Sequence, residues 1–134
     1  MRKLFIATLM LASAFTFTAF AQDPSTTLQQ SVDEIAKLAK APAQPDGLGR
    51  AVVIVTDDKG SPIKNAFAKL ESNWGGDNLC ESWGGTNGNG AIALNPIHMG
   101  TLKLKVTAKG YRTQTINVPA SSLNEPIRVE LARK

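Results

Sequence analysis

Val53-Ile54-Val55-Thr56-Asp57-Asp58-Lys59-Gly60-Ser61-Pro62-Ile63-Lys64-Asn65-Ala66 decides the fold. β-branched residues run into a turn at Asp58-Lys59-Gly60, and a second apolar stretch follows. Branched side chains fit a pleated sheet, and glycine supplies the backbone freedom a tight turn needs. Extended back to Ala51, the stretch to Thr56 is nearly all β-branched and predicts a central strand buried on both faces. Ile63 to Leu70 predicts a second strand, with Ala66, Ala68 and Leu70 on one face.

The same grammar continues outward. Asn87-Gly88-Asn89-Gly90 sets off a short strand at Ala91 to Leu94. Thr101 to Ala108 alternates cleanly, with Leu102, Leu104 and Val106 inward and Lys103 and Lys105 outward. Arg112 to Val118 turns Ile116 and Val118 inward. In the last strand Ile127, Val129 and Leu131 alternate with Arg128 and Glu130. Short strands separated by turns about every ten residues predict an all-β sandwich.

Before this domain the sequence changes character. Arg2 and Lys3 precede an uncharged apolar stretch from Leu4 to Phe20, and Ala19-Phe20-Ala21 has the small-x-small form of a cleavage site. Residues 1–21 are therefore expected to be a secretory signal peptide, with the mature chain starting at Gln22. The stretch is at or below the ~20 residues that span a bilayer, so a soluble periplasmic or secreted protein is expected after cleavage. Removing Arg2 and Lys3 leaves 13 basic against 11 acidic residues, a net charge of +2. These charges are scattered rather than blocked, which argues against nucleic acid as a partner.

Residues 22–41 predict an amphipathic helix. Ser25 is a candidate cap, Leu28, Val32, Ile35 and Leu38 or Ala39 form a stripe, and Pro42 ends it. Each apolar side chain offers roughly 1.5–3 kcal/mol on full burial, against a backbone cost of roughly 1–2 kcal/mol per ordered residue. Such a helix must dock or fray. Residues 42–49, with two prolines and Asp46-Gly47, read as a linker. The β domain is expected over 50–134.

Cys80 is the single cysteine, so no internal disulfide is possible. It reads as a buried small hydrophobe, an intermolecular disulfide or a reactive thiol. A dimer through Cys80 or through the N-terminal helix is one expectation.

Three pieces of the β region resemble the carboxypeptidase regulatory-like domain, a transthyretin-like Greek-key sandwich of about seven strands. They are Asp57-Asp58-Lys59-Gly60-Ser61-Pro62-Ile63-Lys64-Asn65-Ala66, Thr86-Asn87-Gly88-Asn89-Gly90, and Gly110-Tyr111. The resemblance spans Arg50 to Leu131. It implies that fold and the role of an accessory binding module rather than an enzyme. The chain departs from the pattern in having no attached catalytic domain and in its tryptophan-bearing stretch from Glu71 to Gly85.

That stretch is a near-duplicate: Glu71-Ser72-Asn73-Trp74-Gly75-Gly76 is followed by Glu81-Ser82-Trp83-Gly84-Gly85. Folded back over Asp77-Asn78-Leu79-Cys80, it would set Trp74 opposite Trp83 across a hairpin. Two indoles beside glycines would form an aromatic platform for sugar rings or peptide side chains. The competing reading folds the indoles over an aromatic-poor core. Trp74, Trp83, Asp77 and Asn78 are the candidate binding residues.

Catalytic and metal chemistry have thinner support. One histidine, His98, beside Met99 does not make a metal site, even with Cys80. Asp57, Asp58 and Asn65 lack the loop pattern of a calcium site. His98 and Cys80 could pair as base and nucleophile, but no Gly-x-Ser-x-Gly elbow is present. No catalytic residue, metal or cofactor is expected. Tyr111 is expected to anchor a corner by packing its ring inward and bonding its hydroxyl to the main chain. The expected function is non-enzymatic binding or scaffolding of a protein or cell-envelope partner. The alternatives are a carbohydrate-binding module using Trp74 and Trp83, or an assembling structural subunit.

Overall fold

In the computed structural model, which describes residues 31–134, the valine-rich run becomes the central strand of a sheet. The strands are β1 (Leu48–Gly49), β2 (Val52–Asp57), β3 (Phe67–Asn73), β4 (Leu79–Gly85), β5 (Ala91–Ala93), β6 (Ile97–His98), β7 (Thr101–Thr107), β8 (Gln114–Val118) and β9 (Ile127–Leu131). One sheet has the order β5-β2-β9, a second the order β4-β3-β7-β8, and β1 and β6 form a two-stranded ribbon. The fold is an all-β sandwich, as the strand grammar predicts.

Between the sheets lies one core. Val53 and Val55 of β2 with Val129 and Leu131 of β9 meet Ala68 and Leu70 of β3 and Leu102, Leu104 and Val106 of β7. The alternation on β7 is as expected: Leu104 is fully buried while Lys103 and Lys105 are exposed. Val52 and Ile54, on the other face of β2, are also buried, so this strand is covered on both sides.

Local chemistry explains the turn motifs. Asp57 Oδ1 accepts the main-chain N–H groups of Lys59 and Ser61, both at 2.9 Å. Those bonds, the Ser61 N–H foremost, hold the Asp57 carboxyl below its ordinary pKa, with a smaller contribution from Arg133 at 3.8 Å. Thr86 is buried and clasps two loops. Its Oγ1 donates to Ile63 O at 2.6 Å and accepts from Ala66 N at 2.9 Å. Asn87 Oδ1 closes the next turn by accepting from Asn89 N and Ala91 N.

Several expectations change. The second strand starts at Phe67, not Ile63, because Thr86 ties Ile63 and Ala66 into a loop. Its inward residues Ala66, Ala68 and Leu70 are nevertheless fully buried. β9 runs parallel to β2, a pairing that alternation alone does not specify. The stretch expected to be a linker is hydrogen-bonded to the domain. Lys40 and Arg50 form a bridge, β1 pairs with β6, Ala41 N donates to Asn124 Oδ1, and Met99 N donates to Gly47 O. Of the expected helix, residues 31–36 are helical. Its earlier part, and the whole signal-peptide expectation, lie outside the described residues. Among the described residues no helix is long and apolar enough to cross a membrane.

Candidate functional site

The segment from Glu71 to Gly85 belongs to a β-hairpin of two seven-residue strands, Phe67–Asn73 and Leu79–Gly85. β3 and β4 pair antiparallel from Phe67 with Gly85 to Asn73 with Leu79. Trp74 N donates to Asn78 O at the mouth of the turn. Gly75 and Gly76, with φ of 76° and 69°, take the left-handed conformations that the turn requires. Asn78 Nδ2 donates to Gly75 O at 2.8 Å, so Asn78 is a turn-forming residue. Asp77 is exposed beside it.

In this register Trp83 faces Lys69, not Trp74. The expected opposition of the two indoles is therefore wrong, and parity explains why. Side chains alternate faces along a strand. Ser72 and Ser82 are buried and point inward. Trp74 lies two residues past Ser72 and shares its side. Trp83 lies one residue past Ser82 and points the other way.

Trp74 is built into the scaffold. Its ring stacks on His98 with centroids 4.2 Å apart and planes 21° from parallel. Its Nε1–H donates to Cys80 Sγ at 3.0 Å. His98 Nδ1–H in turn donates to Asp46 O at 2.9 Å. One indole thus joins the β3–β4 hairpin to β6 and to the segment before β1. Cys80 is half-buried under Trp74. Met99, weighed with His98 and Cys80 as a metal ligand, is buried in the core.

Trp83 is 59% exposed on the outer face of the four-stranded sheet. Phe67 and Leu79, also exposed, lie on the same face. Gly85 stands opposite Phe67 and offers no side chain to cover it. Gly84, on the inner side, leaves room for Ile92; a Cβ there would strike its Cδ1 atom. Across the sheet from Trp83 run Lys69, Lys105 and Thr115. Lys69 Nζ bridges Glu71 at 3.4 Å and Glu81 at 3.5 Å. The hydrogen bond to Glu71, then the charge of Glu81, raise its pKa. Among the described residues Lys103 and Lys105 have no ion pair. This face therefore combines an aromatic anchor with three lysines and two glutamates, a net charge of +1.

An open groove of about 520 Å³ lies near the hairpin turn, lined by Pro45, Asp46, Asn73, Gly75 and Gly76 among others. It contains no aromatic ring, and Trp83 is not part of it. Tyr111 packs half-buried against the core with Arg133 5.7 Å above its ring. Its hydroxyl makes no main-chain bond among the described residues, contrary to expectation. Among those residues no three His, Cys, Asp or Glu side chains come together as metal ligands.

Phe67 and Leu79 were missed by the sequence reading. Their signal was present, since an apolar residue out of phase with its strand's inward positions faces solvent. Reading it required the strand boundaries.

No family model matches this sequence, and no curated protein matches it. Among solved structures, a 9R-lipoxygenase from Cyanothece PCC8801 is similar over 82% of this chain and 20% of its own, at 13% identity and a TM-score of 0.38.

Proposed function

We propose that this chain is an exported, non-enzymatic binding module of the carboxypeptidase regulatory-like kind, acting in the periplasm or outside the cell. Its recognition face is the outer side of β4-β3-β7, and its partner is a cell-envelope protein that presents an apolar patch bordered by acidic groups. The observation that carries this reading is the exposed indole of Trp83, diagonal to the exposed Phe67 and on the same sheet face as Lys105 and Lys103 of β7, which have no ion pair among the described residues. Soluble proteins seldom leave clustered apolar side chains uncovered without a use for them. Indoles concentrate binding energy at interfaces. Lys103 and Lys105 give the face the charge that an acidic border complements. Asp77 and Asn78, in the turn at the end of the hairpin, lie at the rim, and Trp74 supports the site from the opposite side of the sheet.

The carbohydrate-binding alternative rests on the same flat, exposed indole, which also suits a sugar ring. It loses the paired platform that Trp74 was expected to complete. The test is binding of the purified chain to envelope proteins and, separately, to envelope polysaccharides. Trp83→Ala is expected to weaken protein binding by about tenfold or more, as at an interface hot spot. Polysaccharide binding alone would favour the alternative. Unchanged binding by a folded Trp83→Ala variant would reject this face for both.

A further inference from the structure

The geometry points to a proline-rich segment as the part of the partner that the outer face receives, an assignment that rests on the recognition face proposed above. The segment lies across the strands. One proline sits between Trp83 and Phe67, and an acidic residue three positions further on meets Lys105.

The seat of the proline is a notch between two rings. Phe67 and Trp83 stand diagonally across the β3–β4 ladder, on the same face and close enough to share one small ligand. Gly85 lies opposite Phe67 and two residues past Trp83, so the floor beside the rings carries no side chain. The rings are exposed and, among the described residues, do not stack on one another. A compact, rigid side chain fills such a slot without loss of rotamer freedom. Proline loses essentially none on burial, whereas long side chains lose the most.

The indole supplies a hydrogen bond. Trp74 Nε1–H is bonded to Cys80, but that of Trp83 has no acceptor among the described residues. A polyproline II segment makes no internal hydrogen bonds, so its carbonyls are free to accept. Its conformation also exists before binding, which is why aromatic-lined surfaces suit it.

Spacing places the acid. Trp83, Lys69 and Lys105 stand side by side on three neighbouring strands. At the usual strand separation Lys105 is about 10 Å from Trp83. One turn of polyproline II takes three residues, advances about 9 Å and returns to the same face. Lys69, midway, is already bridged to Glu71 and Glu81. Lys103, Lys105 and Thr115 line a hollow of about 240 Å³ together with Glu71, whose carboxylate is engaged by Lys69. A carboxylate placed there meets two ammonium groups and a hydroxyl. A sugar ring also stacks on an indole, but a neutral sugar leaves both lysines without a counter-charge.

The test is isothermal titration calorimetry of the purified chain with a blocked synthetic peptide containing Pro-Pro-Pro-Glu, whose first proline and glutamate have this spacing. Binding is expected. Replacing the prolines by alanines, or Trp83→Ala in the chain, is expected to weaken it by about tenfold or more. The second arm exchanges charge. Wild type is expected to prefer Pro-Pro-Pro-Glu over Pro-Pro-Pro-Lys, and Lys105→Glu is expected to reverse that order, which a misfolded variant would not do. Equal binding of the alanine peptide, an unchanged order in folded Lys105→Glu, or binding of chitotetraose in place of the peptide would each overturn the assignment. If the peptide does not bind while envelope proteins still bind through Trp83, the proline assignment falls and the recognition face stands. If envelope proteins bind without need of Trp83, the face itself falls, and the assignment with it.

Discussion

Trp74 and Trp83 follow nearly identical residues and end with opposite roles. Glu71 and Glu81 stand directly opposite in the ladder, and both reach Lys69 on the outer face. Counting from these shared anchors, Trp83 is two residues on and stays outside. Trp74 is three residues on, because Asn73 is inserted, and it turns inside. One residue moves an indole from solvent to a stack on His98. A strand's period of two makes such a count decisive. Repeated words in a sequence do not imply repeated environments, and composition alone cannot tell a platform from a buttress.

This contrast can be broken most severely through the parity rule itself. Leu104 and Lys103 are adjacent on β7, one fully buried and one exposed. Leu104→Ala is expected to cost about 2–5 kcal/mol through the cavity it leaves. Lys103→Ala is expected to stay within about 0.5 kcal/mol. Equal denaturant midpoints for the two would mean that alternation does not set burial in this sheet. The faces given to the two tryptophans would fall with it.

The tryptophans themselves come next. Trp74→Ala removes the His98 stack and the bond to Cys80 and unties the hairpin from β6. A loss of about 3 kcal/mol is expected, the low end for a large aromatic because the ring is only half-buried. Trp83→Ala is expected to change stability by about 0.5 kcal/mol or less. Urea unfolding followed by circular dichroism avoids relying on the fluorophore being removed. A Trp83→Ala variant that unfolds as readily as Trp74→Ala would make Trp83 a structural residue.

How much of this was legible beforehand depends on what each feature needs. Clean alternation on β7 and β9 gave the inward residues without any knowledge of partners. The two-face burial of β2 followed from its unbroken run of branched side chains. The ribbon of β1 and β6 was hidden, because Pro42, Pro45 and Gly47 read as a linker while its pairing is long-range. The hairpin was hidden differently. Its glycines suggested room beside an aromatic platform, yet each has a local structural use: Gly75 and Gly76 make the turn, Gly84 admits Ile92, and Gly85 faces Phe67. Centring the turn between Asn78 and Leu79 instead of on Gly76 was enough to set Trp74 and Trp83 opposite each other. Phe67 and Leu79 could be assigned to the surface only once that register was known.

The smallest expected effect belongs to the charges around Trp83, and it sharpens the contrast from the outer side. Glu71 and Glu81 are opposed like charges, which disfavours the hairpin unless a cation lies between them. Lys69 supplies that cation, and its pKa is raised by both carboxylates. A lysine whose folded pKa exceeds its unfolded value of about 10.4 adds stability that is fully present below that value. The contribution is lost as pH rises through the higher folded pKa. Lys69→Met retains most of the aliphatic stem but cannot bridge the two acids, so it removes this dependence. The wild-type urea midpoint is therefore expected to fall more steeply above about pH 10 than that of Lys69→Met. The difference is expected to be small, because this face is open to solvent and salt screens it. Added salt should shrink it further, while leaving the cost of Trp74→Ala unchanged. Identical alkaline slopes for the two proteins would mean that the ladder holds Trp83 in place without help from the Lys69 bridge.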